Sequence, residues 1–315
     1  MKNKNILVTG GTGFLGGHLV RELIDMGANV FVTYRLINSK RYFFNENLEK
    51  NCTLLICDTK DKERIMNVIS SYKIDYIFHL AAQPLVEVAY NHPYETLLTN
   101  ILGTINILEA SRNYKNIKGI VVFTSDKAYG NQEILPYYES SPLRGSHPYD
   151  CSKSCSDLIS QMYYKTYNLP ITIVRAGNMF GPGDLNFDRI VPGAIKSILK
   201  KEPLEIRSDG SMIRDYVYVK DVVRACIMLM QNIEKTQGEA FNIGAKNVYT
   251  VLELLEKIEK IIGVKIEKNI LNICKNEIPK QYLSYEKIKN FIGWENSYDL
   301  DSAIKETFSW YQSHT

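Results

Sequence analysis

The feature that most limits what this chain can become is an alternation running through its first half. Short β-branched runs, Ile6 to Thr9, Val30 to Tyr34, Leu54 to Cys57, Tyr76 to Leu80, Ile120 to Thr124 and Ile171 to Arg175, read as strands. The stretches between them, Phe14 to Met26, Lys60 to Tyr72, Pro93 to Tyr114 and Pro148 to Tyr167, carry apolar residues at helical spacing. A helix between two strands carries the chain back to its starting edge, so the strands run parallel and helices cover both faces. The expected fold is therefore α/β, a doubly wound parallel sheet. After Gly177 the pattern breaks at Gly181-Pro182-Gly183, Pro192-Gly193 and Ser208-Asp209-Gly210-Ser211. Thr250 opens one more capped amphipathic helix that Gly263 stops, and a last helix runs near Ser302 to Trp310. We read residues 1–177 as the sheet domain, with returning segments near 212–244, and residues 178–315 mainly as a smaller C-terminal lobe; 315 residues suffice for both.

The end of the first strand says what such a sheet could hold. Thr9-Gly10-Gly11-Thr12-Gly13-Phe14-Leu15-Gly16 places glycines at 10, 13 and 16 between a strand and a helix. That arrangement permits a tight turn, close approach of a pyrophosphate to backbone N–H groups, and close helix-to-strand packing, so a dinucleotide is the expected ligand. Its contacts would include Gly10, Thr12, Gly13, Phe14, Leu15 and Gly16. No acidic residue ends the second strand to hold an adenosine ribose; Thr33-Tyr34-Arg35 stands there instead. Arg35 either meets a 2′-phosphate, favouring NADP, or is a solvated arginine, and Asp58 either reaches the adenine or caps the turn before Lys60.

Composition works by exclusion. Charged residues make up 23% of the chain and the net charge of +3 is spread rather than blocked, so nucleic acid is not an expected partner. Met1 to Asn5 leads directly into a strand with no secretory apolar region, and no segment approaches a membrane span, so the expectation is a cytoplasmic protein with no membrane partner. The cysteines at 52, 57, 151, 155, 226 and 274 lack the paired spacings of zinc sites; Cys151 and Cys155 lie one helical turn apart with no histidine beside them. They read as reduced packing thiols, and no metal is expected.

Two further stretches carry chemistry. In Tyr149-Asp150-Cys151-Ser152-Lys153 a tyrosine and a lysine four apart share a helix face, so the ammonium is placed to lower the phenol's pKa while binding a nicotinamide ribose. Such a tyrosine takes a proton from a sugar hydroxyl as hydride leaves the carbon, and Ser125, at a strand end, is placed to bond the same hydroxyl. In a chain with 21 tyrosines the spacing means little alone; its weight comes from its order after the glycine turn and Ser125. The second stretch, Val121 to Gly130 or "VVFTSDKAYG", sets an acid and an amine, Asp126 and Lys127, side by side directly after that serine.

With these motifs the chain resembles the extended short-chain dehydrogenase/reductases, the NAD-dependent epimerase/dehydratase family, whose members act on nucleotide sugars on a Rossmann-type sheet. The resemblance extends to "HLAAQP" (79–84), "TNILGTINILEA" (99–110), "VRAGNMFGPGD" (174–184), "IRDYVYVKDV" (213–222), "FNIG" (241–244) and the closing Gly293-Trp294 and Trp310-Tyr311. Within the family, "TSDKAYG", "YDCSKSCSDL" and "DRIVPGAI" are most similar to the CDP-glucose 4,6-dehydratases and related nucleotide-sugar 4,6-dehydratases. The resemblance implies a tightly bound NAD or NADP, leaning to NAD against the hint of Arg35, with Ala81 and Asn100 beside Tyr149 and Lys153 at the cofactor. It implies a CDP- or UDP-linked sugar, with Gln83, Asn178, Arg189 and Arg214 as its holders, and a homodimer. Asn100 would complete an Asn-Ser-Tyr-Lys tetrad, or it binds a nearby carbonyl. Each arginine has a surface ion pair as its plainer alternative.

Asp126 and Lys127 separate the possible reactions. Once C4 of a hexose is a ketone its C5 hydrogen is acidic, and a base at C5 with an acid at the C6 hydroxyl expels water. In this reading Tyr149 is the C4 base aided by Lys153, Asp126 protonates the departing hydroxyl, and Lys127 shuttles the proton at C5. Asp126 must then hold a proton and Lys127 must be neutral, against ordinary values of about 4 and about 10. Burial pushes both that way, their proximity opposes it, and the two titrate as a coupled pair. The plainer alternative has Asp126 capping the turn and Lys127 in solvent. Other readings are a redox-neutral enzyme that epimerises C5 and reduces C6 of a UDP-6-deoxy-N-acetylhexosamine-5,6-ene, a 4-epimerase, and a catalytically silent NAD(P)-binding regulatory module.

Overall fold

The computed structural model describes residues 1–273 and 278–314, so Cys274 lies outside the described residues. Its strands are β1 (Asn5–Thr9), β2 (Asn29–Tyr34), β3 (Thr53–Ile56), β4 (Tyr76–His79), β5 (Gly119–Phe123), β6 (Ile171–Ala176), β7 (Asn178–Phe180), β8 (Leu204–Ile206), β9 (Ile213–Tyr218), β10 (Ala240–Ile243), β11 (Val248–Thr250), β12 (Lys268–Ile270) and β13 (Lys280–Gln281). Seven of them form one parallel sheet in the order β10-β6-β5-β4-β1-β2-β3. The order turns back between β1 and β4, and ligands of doubly wound sheets bind beyond the carboxyl ends of the strands at such a point. The expectation of an α/β doubly wound parallel sheet holds.

Burial on both faces explains the strand composition. Ile6, Val8, Val32, Phe78, Val121 and Val174 face one apolar core, while Leu7, Ile77, Ile120, Val122, Ile171 and Ile173 face a second on the other side. Successive side chains point to opposite faces, so a strand buried twice is apolar throughout rather than alternating. The segment expected to return near 212–244 divides. β9 stays out of the large sheet and forms a small one with β7, β11 and β13, whereas the helix Val219–Gln231 packs on β5 and β6 and leads to β10 at the sheet edge. Thr250 caps the helix Val251–Ile262 through a reciprocal bond pair with Glu253, and Gly263 ends it at φ 79°. The last helix, Leu300–His314, outruns the expected Ser302 to Trp310 at both ends. Among the described residues no helix is long and apolar enough to cross a membrane.

The helix Pro148–Tyr167 buries a polar stripe, including Tyr149, Ser152, Lys153, Ser154, Ser156, Asp157 and Ser160. Ser154, Ser156 and Ser160 donate to carbonyls one turn back at 3.1, 2.9 and 2.7 Å, and Ser152 donates to the Tyr149 carbonyl at 2.6 Å, so small hydroxyls are buried at little cost. Asp157 forms a buried two-pronged ion pair with Arg175 of β6 at 2.7 and 2.8 Å. This anchors the helix over β5 and β6 and sets where Tyr149 and Lys153 stand.

Candidate active site

The turn after β1 is built for close approach. Gly10 has φ 69°, and a Cβ there would lie 2.9 Å from the Ala81 backbone. A Cβ on Gly16 would stand 2.3 Å from the Gly10 carbonyl oxygen and 2.7 Å from Gly11 Cα, so only glycine lets the helix Phe14–Asp25 sit against the turn. That helix starts at Gly13 with no side-chain cap, and Leu15 is buried beneath it. Its leading amides and the bare glycine surface fit a diphosphate anion.

Around this turn the predicted cofactor residues occupy mixed positions. The Thr12 hydroxyl accepts from Arg41 Nη1 at 3.2 Å, a half-buried arginine that sequence reasoning missed because the stretch before it has no periodicity. Burial and the neighbouring Arg35 lower the Arg41 pKa. Arg35 itself is half exposed and lies 3.7 Å from Asp58, and Asp58 accepts from the Lys60 amide at 3.0 Å. The two side chains thus face each other beside the ends of β2 and β3. Ala81 donates its N–H to Thr9 Oγ1 at 3.2 Å. Asn100 sits in a wide helical turn, Leu98–Leu102, where its amide accepts from the Gln83 N–H at 2.8 Å and donates to Ser152 Oγ at 2.8 Å. It braces the 81–85 segment against the Pro148–Tyr167 helix.

The chemistry-bearing groups meet at the end of β5. Ser125 follows Phe123 and Thr124 and opens a short 3₁₀ turn, Asp126–Tyr129, with its hydroxyl accepting from the Lys127 N–H at 3.2 Å. The same hydroxyl donates to Asp126 Oδ1 at 2.9 Å, and Ser125 lies near enough to Tyr149 to pull its phenol pKa down. Ser125, Asp126 and Tyr149 thus gather at the end of β5. The expectation that Lys153 would lower the Tyr149 pKa is not met. Burial raises the phenol to about 12 against the pull of Ser125, and Lys153 donates instead to the Phe123 carbonyl at 3.1 Å, 6.0 Å from the centre of the Tyr149 ring. Burial in turn lowers the Lys153 amine to about 8.

Asp126 is buried, and its Oδ2 has no hydrogen-bond partner among the described residues. Two further acids that sequence reasoning did not single out flank it. Asp150 is raised to about 6 by burial, with Lys127 pulling it down and Asp126 pushing it up. Asp215 of β9 is raised to about 7 by burial and by the charge of Asp126. The Lys127 amine is half-buried rather than solvated and donates to Gln281 Oε1.

The four residues expected to hold the nucleotide sugar each have partners within the protein. The Gln83 amide donates to the Leu85 carbonyl at 2.9 Å and to Thr96 Oγ1 at 3.1 Å, so its groups serve its own loop. Asn178 on β7 donates to the Asp215 carbonyl at 3.4 Å. Arg189 pairs with Asp184 at 2.9 Å, yet its charge also lowers the Tyr149 pKa, which sets it on the site's side of the molecule. Arg214 is buried and donates to the carbonyls of Ile213, Pro279 and Ile278 at 2.8, 3.2 and 2.5 Å. Cys52, Cys57, Cys151, Cys155 and Cys226 are free thiols, and burial with Cys151 nearby raises the Cys155 pKa.

Comparison with known proteins agrees with this geometry. The family model described as the NAD dependent epimerase/dehydratase family matches residues 6–244. The CDP-glucose 4,6-dehydratase of Salmonella typhimurium is 30% identical over 99% of this chain and 91% of its own length. Among solved structures, the UDP-glucose 4-epimerase of Thermotoga maritima, with UDP-glucose, superposes at TM-score 0.91 and 33% identity, covering 98% of this chain and 99% of that one. The dTDP-glucose 4,6-dehydratase of Bacillus anthracis, in complex with NAD, superposes at TM-score 0.87 and 27% identity, covering 98% and 97%.

Proposed function

The chain belongs to the NAD dependent epimerase/dehydratase family, and within that family we propose that it is a nucleotide-sugar 4,6-dehydratase. One observation carries this reading: beside Tyr149 and Ser125 stands the buried Asp126, which accepts from the Ser125 hydroxyl, and next to it the half-buried Lys127 amine, which donates to Gln281. A C4 oxidation needs only the first two members. The buried acid and the amine beyond them supply what elimination adds, a proton for a leaving hydroxyl and a group that moves the C5 proton.

NAD is the proposed dinucleotide, held at the Gly10 to Gly16 turn; when bound it supplies a hydride acceptor for C4 and the hydride donor for C6. The protein's own groups do the proton work. Tyr149, in its phenolate form, takes the C4 hydroxyl proton, and that proton passes on to restore Asp126 for the next turnover. Lys127 removes the C5 proton, Asp126 protonates the C6 hydroxyl as its bond to carbon breaks, and one water leaves. A proton then returns to C5 from Lys127 as C6 is reduced, leaving a 4-keto-6-deoxy sugar and an unchanged cofactor. Lys153, already lowered to about 8, titrates near working pH. Arg189 and Arg214 are the proposed diphosphate ligands, and for both this requires exchanging an existing partner. The exposed Leu158 and Met162 on the catalytic helix, with Val86, Tyr90 and Tyr94 on the short helices packed against it, support a homodimer through this face.

The test is incubation with CDP-glucose, dTDP-glucose, UDP-glucose and UDP-N-acetylglucosamine, followed by mass spectrometry. Loss of one water without added NADH is expected. Unchanged mass with inversion at C4 would instead favour a 4-epimerase, a second reading supported by the likeness to the Thermotoga maritima enzyme. Turnover confined to a 5,6-ene sugar would favour the C5-epimerising, C6-reducing reading.

A further inference from the structure

We infer that the adenosine end of the dinucleotide site carries a second anion subsite, formed by Arg41, Arg35 and Thr12, which takes a 2′-phosphate, so that this chain binds NADP alongside NAD. The inference rests on the proposed placement of a dinucleotide at the Gly10 to Gly16 turn and on no step of the reaction.

Arg41 is the fixed member of the group. It directly precedes the short helix Tyr42–Asn45, whose Tyr42 and Phe43 are buried, and its N–H donates to the Asn38 carbonyl at 3.1 Å. The Tyr42 ring stacks on His18 of the helix Phe14–Asp25 with ring centres 3.8 Å apart, which ties this backbone to the helix that opens the dinucleotide turn. The half-buried guanidinium is thereby held against the turn itself, where Nη1 donates to Thr12 Oγ1 at 3.2 Å. Among the described residues that is its one side-chain hydrogen bond, and no carboxylate pairs with it. A guanidinium has five N–H donors, so most of them are left for a ligand. Thr12, which accepts from Arg41, keeps its own hydroxyl proton to donate.

The charges nearby point the same way. From Met26 to Asn45 the sequence contains no aspartate or glutamate, so nothing at the end of β2 accepts from the hydroxyls of an unphosphorylated ribose. Glu46, the next acid along the chain, is bonded to Arg21 and to Trp310. In place of an acid stand two guanidiniums: burial and the charge of Arg35 both work against the cation on Arg41. Asp58 lies 3.7 Å from Arg35 and 4.0 Å from Lys60, and Lys60 also meets Glu95 at 2.9 Å, so the acids of this corner are shared among the other cations. A half-buried cation beside a like charge is unfavourable unless an anion joins them. Paired guanidinium forks match phosphate oxygens, whereas a carboxylate in their position would repel a 2′-phosphate.

The test uses the full-length native protein, Arg41→Met and Arg35→Met, each checked for folding by circular dichroism. NADPH and NADH are titrated by nicotinamide fluorescence, and 2′,5′-ADP and 3′,5′-ADP, which are equal in charge, by calorimetry. The native protein should bind NADPH at least as tightly as NADH and should prefer 2′,5′-ADP to 3′,5′-ADP. Each substitution removes charge-assisted hydrogen bonds to the phosphate alone, so the preference for NADPH over NADH should fall by about tenfold while the NADH Kd changes by less than about threefold. If Arg41→Met does not fold, Arg35→Met, at a half-exposed position, carries the test. Equal binding of the two ADP isomers, or substitutions that weaken both dinucleotides alike, would overturn the inference. NADH binding with NADPH excluded would remove the subsite and leave the turn as a dinucleotide site; failure of both dinucleotides to bind would remove the turn as well.

Discussion

Replacing Lys153 with methionine should make the protein more stable near neutral pH while abolishing turnover. Lys153 is 6% exposed, and burial lowers its pKa from the ordinary 10.5 to about 8. At about 1.4 kcal/mol per tenfold in proton affinity, holding it charged in the fold costs roughly 3 kcal/mol. Methionine removes that cost and fills similar volume, but it leaves the Phe123 carbonyl without the amine that now donates to it at 3.1 Å, a loss of about 1 kcal/mol. The net expectation at pH 7 is a gain of about 2 kcal/mol. Its pH dependence has a definite sign. Between about 8 and 10.5 the unfolded chain holds a proton on this lysine that the folded chain has released, so native stability rises with pH in that window. The advantage of Lys153→Met should therefore be complete below pH 8 and vanish, or reverse by the lost hydrogen bond, above 10.5. Urea unfolding of both proteins without added cofactor, across that range, measures the difference directly, since other titrations cancel. A variant less stable than native at pH 7, or a difference constant with pH, would refute the assignment of a buried charged amine. Turnover should fall at least a hundredfold, the usual scale for a proton-relay group.

Gly16→Ala puts a Cβ 2.3 Å from the Gly10 carbonyl oxygen; relief requires moving the helix off the turn, so stability should drop by about 1–3 kcal/mol. NADH affinity, followed by fluorescence titration, should weaken more than tenfold, and an unchanged Kd would show that the turn does not hold the dinucleotide. Asp157→Ala strands the buried Arg175 guanidinium, and scanning calorimetry should show a loss of about 3–5 kcal/mol, a fall of roughly 5–8 °C in Tm. Asp126→Asn keeps the shape but has no proton to give: water loss should slow by about a hundredfold or more. The absorbance of reduced nicotinamide should still appear on sugar addition, and undiminished water loss would remove Asp126 from the mechanism.

The large sheet was legible because its inner strands are buried on both faces, which forces unbroken apolar runs such as Ile6-Leu7-Val8 and Ile120-Val121-Val122. The Pro148–Tyr167 helix was legible to the residue, since a proline at its first turn and Asn168 in the left-handed region mark its ends. β9 misled for the converse reason. Ile213 to Tyr218 is nearly as buried as a sheet strand, but its neighbours β7, β11 and β13 are two or three residues long and leave no periodic trace.

The site follows the same rule at closer range. Ser125, Asp126 and Lys127 are adjacent in the chain and Tyr149 and Lys153 share one helix face, so their company could be read from spacing. Part of their polar surroundings comes from elsewhere: Asp150 one residue past the tyrosine, Asp215 from β9, and Gln281, which reaches Lys127 across 154 residues of chain. The expectation that Lys153 would lower the Tyr149 phenol failed on this point, because helical spacing gives proximity of two backbones while burial decides the sign of the shift. The same reasoning bears on the choice between elimination and epimerisation. An acid and amine in sequence are only a potential; burial that raises the neighbouring Asp150 and Asp215 to about 6 and about 7 makes surroundings that favour neutral acids, which a proton-donating step at this site needs.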